Sequence, residues 1–354
     1  PMSHLRSVDS VIVAVPDTAG WALLGMVDVL SAAGIIWDTL VSSTAASNPF
    51  RLRILSPDGQ PFVCGNGIPV TPEASVADDP APDIVIIPEL WLGPDEDLKG
   101  RYPDLMNWIW RKHAEGAALY SACSGAVMLA ETGLLDGCDA TSHWGYQDLF
   151  RNSYPKVHFR PEPNLAFADP AGRIVTAGGT TSWHDLAIHI ISRHCSPAEA
   201  LRVAKVYLLK WHGEGQLPYE ALVRRSPQAD SVVRQCEDFL GDHFREEGVL
   251  PRAVQLANIP ERTLKRRFRI ATGSSLIERL QKLRIEEAKR MLENSATPVT
   301  DISFEIGYED PSFFRRLFKR LTGVTPSQYR RMFQPVAKAA SMPPGPPGVA
   351  TARG

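Results

Sequence analysis

The feature that most constrains this chain is a change of hydrophobic pattern near residue 230. Before that point, short runs rich in valine and isoleucine alternate with longer stretches of helical periodicity. The short runs are too continuously apolar for strands with one face in water, so they predict a parallel sheet covered by helices on both faces. The predicted strands are Val11–Val15, Arg51–Leu55, Ile84–Pro88, Ala117–Ser121 and Ile174–Ala177.

Helical periodicity is found on both sides of residue 230. In the first part the predicted helices are Trp21–Ala33, Pro103–Ala114, Gly125–Thr132, Thr181–Arg193 and Pro197–Trp211. In the second part every periodic stretch is helical, and these are Val232–His243, Pro251–Ala257, Pro260–Ala271, Ser275–Glu293, Val299–Glu305 and Pro311–Leu321. We therefore expect an α/β domain over residues 8–211 and an all-α domain over residues 231–333.

Two segments of different composition flank the helical domain. Residues 212–230 are polar with two glycines and two prolines, which predicts a linker. Residues 334–354 are rich in proline, glycine and alanine and have little to bury, so they are predicted to be a disordered tail.

The net charge of -2 conceals a strong asymmetry. Residues 231–333 hold 19 Lys and Arg against 14 Asp and Glu, whereas residues 1–230 hold 17 against 26. An acidic body joined to a basic helical module indicates a nucleic-acid partner.

Several other classes of protein are not favoured. No apolar run approaches the roughly 18–20 residues that span a bilayer, so we expect a cytosolic protein with no membrane partner. The five cysteines are scattered without a C-x-x-C pair, which predicts neither disulfides nor a zinc site. The closely spaced histidines do not share a helix face, because five residues turn about 140°, and no metal or cofactor is expected; they are His184, His189 and His194.

Two stretches of the basic module resemble each other, Leu250–Gly273 and Val299–Gly323. In each, a short apolar helix meets a tight turn and then a helix with one apolar and one basic face, which is the order of a helix-turn-helix. In the second copy Asp310 is the predicted N-cap and Pro311 the first helical residue. The first copy has Pro260 at that place, so a weaker helix start is predicted. A single basic helix is usually a solvated face, but two in tandem indicate DNA binding.

Residues 232–333 resemble the DNA-binding domain of AraC/XylS-type transcription regulators, and Ile302–Arg330 follows that family's pattern almost position by position. The resemblance implies two helix-turn-helix units that read successive major grooves of double-stranded DNA, with the helix after Pro326 on the phosphate backbone. The base contacts that it implies are Arg262, Lys265 and Arg266 in one groove, and Ser312, Arg315 and Arg316 in the next.

The main chemical feature of the first domain is the sequence Tyr120-Ser-Ala-Cys-Ser-Gly-Ala126. A strand there runs into a helix through a single cysteine, Cys123, which is typical of a nucleophile elbow with the thiol near a helix N-terminus that favours thiolate. His143 follows twenty residues later, and a Cys–His pair is the minimum for nucleophilic catalysis. A buried structural cysteine and a hydrogen-bonded histidine fit the same pattern, and the pattern alone does not separate the two readings.

Residues 8–211 resemble the class I glutamine amidotransferase-like superfamily, in the PfpI-type branch that is joined to AraC-type domains in GlxA-like regulators. The sequences that carry the resemblance are A-C-S-G-A, A-T-S-H-W and V-T-A-G-G-T-T-S-W-H-D. The resemblance implies a three-layer, flavodoxin-like fold, with Cys123 at the nucleophile position and His143 at its partner position.

Two departures favour a binding pocket over an enzyme. Pro88 is followed by Glu89 where superfamily hydrolases often have the Gly-Gly of an oxyanion hole, and Ala22 stands where many members have an acid beside the cysteine. We expect a degenerate site that binds a small-molecule effector, with the backbone amides of Ser124 and Gly125 suited to an anion. The predicted ligand-binding residues are Glu89, Trp91, Cys123, Ser124, His143, Trp144 and Trp183.

These patterns together predict a homodimeric, effector-responsive transcription regulator that acts at the nucleoid and meets RNA polymerase there. The alternatives are a Cys-dependent hydrolase or hydratase tethered to DNA, and a regulator that senses oxidants through Cys123.

Overall fold

The computed structural model describes residues 7–41, 47–222 and 230–339. The chain forms two compact units, residues 1–217 and residues 218–354.

The first unit is built on a seven-stranded sheet with the order β10-β11-β7-β6-β1-β2-β5. All neighbouring strands are parallel except β10 and β11, which are antiparallel. The strands are β1 (Val8–Val13), β2 (Phe50–Ser56), β5 (Ala74–Ser75), β6 (Ile84–Ile87), β7 (Ala118–Ala122), β10 (Leu165–Phe167) and β11 (Ile174–Ala177). Two short ladders lie outside it, β3 (Phe62–Val63) with β4 (Pro69–Val70), and β8 (Asp139–Ala140) with β9 (His158–Phe159).

Helices cover both faces of this sheet, as the apolar runs predict. Successive residues of β6 alternate between two hydrophobic cores, with Val85 and Ile87 in one and Ile84 and Ile86 in the other. The first core holds α3 and α4 residues and the second holds α1 and α6 residues, so the unit has three layers. The helices are α1 (Gly20–Ala32), α2 (Ile36–Val41), α3 (Pro103–Glu115), α4 (Gly125–Glu131), α5 (Gln147–Ser153), α6 (Ser182–His194) and α7 (Pro197–Tyr207).

The second unit has helices and no strand over its described residues, 218–222 and 230–339. It has two small cores, and both take residues from the long central helix: Leu276 and Leu280 belong to the first core, Ile285 and Leu292 to the second. The helices are α8 (Ser231–His243), α9 (Val249–Ala257), α10 (Glu261–Thr272), α11 (Leu276–Asn294), α12 (Val299–Glu305), α13 (Pro311–Thr322) and α14 (Pro326–Ala339). The all-α domain is confirmed.

The boundaries of the segments differ from the sequence prediction. The predicted helix Pro197–Trp211 ends at Tyr207, because Leu208 has a left-handed backbone with φ of 53°. The linker prediction is wrong for residues 212–217, which pack into the first unit through the buried side chain of Gln216. Residues 223–229 lie outside the described residues.

The predicted disorder of residues 334–354 is wrong at its start. Helix α14 continues to Ala339, six residues into that segment, and Gln334 Nε2 donates a hydrogen bond to the Ser295 carbonyl oxygen. Residues 340–354 lie outside the described residues.

Candidate functional site

Cys123 stands at a tight turn between β7 and α4, as the sequence predicts. Its backbone is left-handed, with φ of 51°, and its side chain is buried. Gly125 makes the turn possible, because a Cβ there would lie 2.5 and 2.7 Å from the carbonyl oxygens of Ile87 and Pro88. The same two carbonyl oxygens pack against Gly125 at the start of the seven-residue α4, and the anion site suggested for the amides of Ser124 and Gly125 stays a prediction.

A single carboxylate organises the surroundings of the thiol. Cys123 Sγ lies 3.6 Å from Glu89 Oε1 and 3.9 Å from Thr180 Oγ1. Glu89 also accepts hydrogen bonds from Trp21 Nε1 at 2.9 Å and from Thr180 Oγ1 at 3.4 Å. Glu89, in the loop after β6, is therefore the acid beside the cysteine, whereas Ala22, at the position where many members have an acid, is buried in the core.

The surroundings raise the pKa of the Cys123 thiol. Burial is the main cause and the negative charge of Glu89 is the second, and both outweigh the amide and hydroxyl groups that would stabilise the thiolate. The thiolate that an elbow next to a helix N-terminus usually favours is not supported in this structure.

His143 is close to this site but is not joined to the thiol. Its Nδ1 accepts a hydrogen bond from the Gly145 amide at 2.9 Å, and its ring packs on Trp144 with centroids 4.7 Å apart. Burial lowers the pKa of His143, which favours the neutral ring. Over the described residues, no hydrogen bond joins Cys123 Sγ to His143, so the structure does not assemble the catalytic pair.

The loop after Pro88 does not offer free amides for an oxyanion hole. The Leu90 amide donates to Ser124 Oγ at 2.8 Å, and that hydroxyl donates back to the Leu90 carbonyl oxygen at 2.5 Å. The Trp91 amide donates to the Asp17 carbonyl oxygen. The predicted ligand residue Ser124 is buried, and its hydroxyl holds this loop by donating one hydrogen bond and accepting one.

The predicted tryptophans have different environments. Trp91 is 62% exposed, whereas Trp183 is buried and meets the edge of Trp21 with ring centroids 5.9 Å apart. Two residues of this site, Trp21 and Thr180, are not predicted from the sequence. One stands beside Ala22 and the other in V-T-A-G-G-T-T-S-W-H-D, so their closeness in sequence to predicted positions is the signal that points to them.

The three histidines of α6 do not converge. His194 Nε2 lies 2.8 Å from the Tyr120 hydroxyl, His189 packs on Phe167, and His184 packs on Trp183. Among residues 7–41, 47–222 and 230–339, no group of three or more His, Cys, Asp and Glu side chains is placed to hold a metal ion. In the same ranges no helix is long and apolar enough to cross a membrane.

In the second unit, α10 and α13 have the two-faced character that the sequence predicts. The apolar faces are buried and hold Leu264 and Phe268 in α10, and Phe314, Leu317 and Phe318 in α13. The predicted base-contacting residues are all exposed, and these are Arg262, Lys265, Arg266, Ser312, Arg315 and Arg316.

Those exposed side chains have few partners. Lys265 pairs with Glu261 at 2.6 Å, and Arg315 Nη2 donates to Thr300 Oγ1 at 3.2 Å. Arg262 and Arg266 have no hydrogen bond or ion pair to any other residue, as judged over the described part of the chain. Their charge is thus available to an external anion. Arg267, in contrast, is a structural residue bound to Asp230 at 2.6 and 2.8 Å.

The two helices begin differently, as predicted. Asp310 caps α13 by accepting a hydrogen bond from the Ser312 amide at 2.8 Å, and Pro311 follows it. Pro260 precedes α10 and makes no side-chain cap. The second helix therefore has the firmer N-terminus.

Comparison with known proteins agrees with both units. Residues 10–193, more than half of the chain, match the model of the DJ-1/PfpI family. The chain belongs to the DJ-1/PfpI family. In addition, residues 254–332 match the model of a helix-turn-helix domain of the AraC type.

Two curated relatives have the same pair of domains as this chain. This chain is 29% identical to the HTH-type transcriptional regulator CdhR of Pseudomonas aeruginosa, over 86% of this chain and 88% of CdhR. It is also 29% identical to the regulator GlxA of Rhizobium meliloti, over 61% of this chain and 66% of GlxA. Among solved structures, DJ-1beta of Drosophila melanogaster is 17% identical with a TM-score of 0.48, covering 58% of this chain and 100% of that one.

Proposed function

We propose that this protein is a sequence-specific DNA-binding transcription regulator. The observation that carries the proposal is the pair α10 and α13, each with a buried apolar face and an exposed basic face, in a unit that matches an AraC-type domain. The naming of its relatives as HTH-type transcriptional regulators supports it. Such a protein works at DNA in the cytoplasm and meets RNA polymerase at promoters.

Two single substitutions test the DNA contacts. Arg266→Ala and Arg316→Ala are each expected to cost about 1–3 kcal/mol of specific binding, because each removes a side chain placed to read a base edge. The measurement is footprinting and gel shift on the DNA next to the protein's own gene, at fixed salt.

Arg290→Ala is the matched control, since Arg290 is an exposed arginine of α11 that is paired with Glu287. If either recognition-helix variant binds its operator as tightly as the control does, the assignment of that arginine is wrong.

We further propose that the first unit binds a small-molecule effector beside Cys123. The partly exposed Glu89 and Trp91 and the neighbouring His143 and Trp144 support a pocket at the carboxyl ends of β6 and β7, where open α/β sheets bind ligands. The effector would change how the chain engages DNA.

The two alternatives receive less support from the same geometry. A Cys-dependent hydrolase or hydratase needs a base near the thiol and free oxyanion donors, but His143 is turned to Gly145 and the Leu90 amide is occupied. An oxidant sensor needs an accessible thiolate, whereas Cys123 is buried and its pKa is raised.

A homodimer formed through the first unit is also part of the proposal. Leu24 of α1 and Leu201 of α7 are 43% and 57% exposed, and these two helices pack against each other. Exposed leucines on adjacent helices support a surface that a second copy covers.

A further inference from the structure

Gln216 occupies a slot in the first unit that only a glycine leaves open. Its side chain is 4% exposed, although it stands in a polar segment that reads as a linker. A Cβ on Gly178 would lie 2.1 Å from Gln216 Nε2, so any side chain at position 178 would expel the glutamine. The glycine pair of V-T-A-G-G-T-T-S-W-H-D therefore makes room for a residue 38 positions further along the chain.

The hydrogen bonds of Gln216 fix the orientation of its amide. Nε2 lies 2.9 Å from Thr141 Oγ1 and 3.0 Å from each of the carbonyl oxygens of Ser142 and Pro163, so its two N–H groups are shared among three acceptors. A flipped amide would point an oxygen at two carbonyl oxygens, so the assignment is determined by its partners. The opposite atom, Oε1, is buried and has no hydrogen-bond partner.

That unpartnered oxygen lies beside the proposed effector site. A Cβ placed on Gly179 would be 3.4 Å from Gln216 Oε1 and 3.6 Å from His143 Cδ2, so both groups border the same small region. Ser142, which Gln216 holds through its carbonyl, donates its hydroxyl to the Cys123 carbonyl oxygen at 2.7 Å. Gln216 is thus two hydrogen bonds from the cysteine.

The segment that carries Gln216 is the last part of the first unit, which ends at Leu217. It is anchored at its start by the buried Asp185, whose two oxygens bind the amide and Nδ1 of His212 at 2.8 Å each. At the end of the segment, the backbone N–H of Gln216 donates a hydrogen bond to the Glu162 carbonyl oxygen at 2.9 Å. Loss of the Gln216 contacts would release the chain just before the second unit begins.

We propose that Gln216 is an effector-reading residue that couples the pocket to the chain leaving the first unit. Its Oε1 accepts a hydrogen bond from an N–H or O–H group of the effector, which locks residues 212–217 in place. Because Oε1 is an acceptor and the Glu89 carboxylate, which binds Thr180 next to Gly179, is negatively charged, the effector class is a small neutral or cationic molecule that carries an N–H or O–H donor. This inference rests on the proposed effector-responsive regulator.

Hydrogen exchange on the full chain tests the coupling without any ligand. Gln216→Ala is expected to raise amide exchange at least tenfold both in residues 212–217 and in residues 139–146, since one side chain holds both segments. Gln60→Ala is the matched control, because it truncates an exposed glutamine of the same unit that lies outside both segments. Faster exchange confined to residues 212–217, or in neither segment, would overturn the coupling.

A second exchange experiment tests the ligand class with defined probes, glycinamide as donor and acetate as anion. Glycinamide is expected to slow exchange in residues 212–217 of the wild-type chain, and acetate is not. Gln216→Met, which fills the slot without an acceptor oxygen, is expected to lose the glycinamide effect. Protection by acetate, no protection by glycinamide, or equal protection of the Met variant would each overturn the inference.

Footprinting of the same preparations separates this inference from the proposed function. If the wild-type chain binds no specific DNA, the proposed function fails, whatever the exchange data show. If the wild-type chain binds specific DNA but the amide exchange of Gln216→Ala equals that of the wild type, the coupling role of Gln216 is wrong while the proposed function stands.

Discussion

At the scale of single residues, Glu89 determines the character of the candidate site. Its carboxylate binds the Cys123 thiol, the Trp21 indole and the Thr180 hydroxyl, which come from three separate elements. Many PfpI-type proteins have an acid in α1 at the position of Ala22, where this chain has none. The sequence predicts Glu89 as a residue of the pocket, but it cannot show that the carboxylate contacts the thiol, because that depends on how β6 and β7 pair.

The charge of Glu89 leads to a prediction about Cys123. Glu89→Gln is expected to increase alkylation of Cys123 by iodoacetamide several-fold at pH 8, because removing the negative charge lowers the pKa of the thiol. In the wild type the rate should rise with pH above 8, since the reactive form is the thiolate and its pKa is raised. The measurement is mass spectrometry of the peptide that contains Cys123.

Glu89→Asp is the control because it keeps the charge, and its alkylation is expected to stay close to that of the wild type. A Gln variant that reacts no faster than the wild type would show that the carboxylate does not govern the thiol.

At the scale of elements, the sequence predicts long and strongly patterned segments well. Each residue of β6 is buried and α13 has a regular apolar face, so periodicity alone indicates both. The two-residue strands β3, β4, β5, β8 and β9 are too short for any period, and their formation depends on tertiary contacts. Linker residues 212–217 look polar, but their burial depends on the Gly178 slot far away in sequence.

Helix α11 joins the two helix-turn-helix halves through Arg284. This buried guanidinium donates to the carbonyl oxygens of Phe244, Glu246 and Gly307, at 2.6, 3.2 and 2.9 Å, and it lies over the Tyr308 ring. The first two oxygens belong to the segment between α8 and α9, and the third belongs to the turn between α12 and α13.

Arg284→Ala is therefore expected to lower the free energy of unfolding of the helical unit by about 3 kcal/mol, because a buried side chain is lost and three carbonyl oxygens lose their charged donor. Thermal unfolding followed by circular dichroism at 222 nm measures this. Arg290→Ala on the same helix removes an exposed arginine whose partner, Glu287, keeps its pair with Arg245, and it should cost less than about 1 kcal/mol. Equal melting temperatures for the two variants would contradict this role of Arg284.

At the scale of the whole molecule, the two parts of the chain differ in charge. Residues 231–333 carry a net charge of +5 and residues 1–230 carry -9. An acidic body weakens indiscriminate attraction to phosphate, so we expect DNA affinity to come mainly from the exposed side chains of α10 and α13. The unpartnered Arg262 and Arg266 fit that requirement.

The proposed dimer makes a prediction at the same scale. Leu201→Glu is expected to convert a dimer into a monomer at micromolar concentration, because it places a charge where a leucine worth about 1.5–3 kcal/mol would be buried. Sedimentation equilibrium measures the mass. Val63→Glu, at an exposed position on β3, is the control and should remain dimeric. A Leu201→Glu chain with the mass of the wild type would exclude this surface from the dimer contact.

The left-handed backbone at Cys123 has a consequence for how this position can diverge. A φ of 51° belongs to the turn between β7 and α4, and the sulfur is not needed to form it. Glycine and asparagine adopt this conformation readily, whereas β-branched residues do not. In related proteins that bind their effector without the thiol, we expect glycine or asparagine to replace the cysteine. Such a replacement would change the chemistry of the site but would keep the turn between β7 and α4.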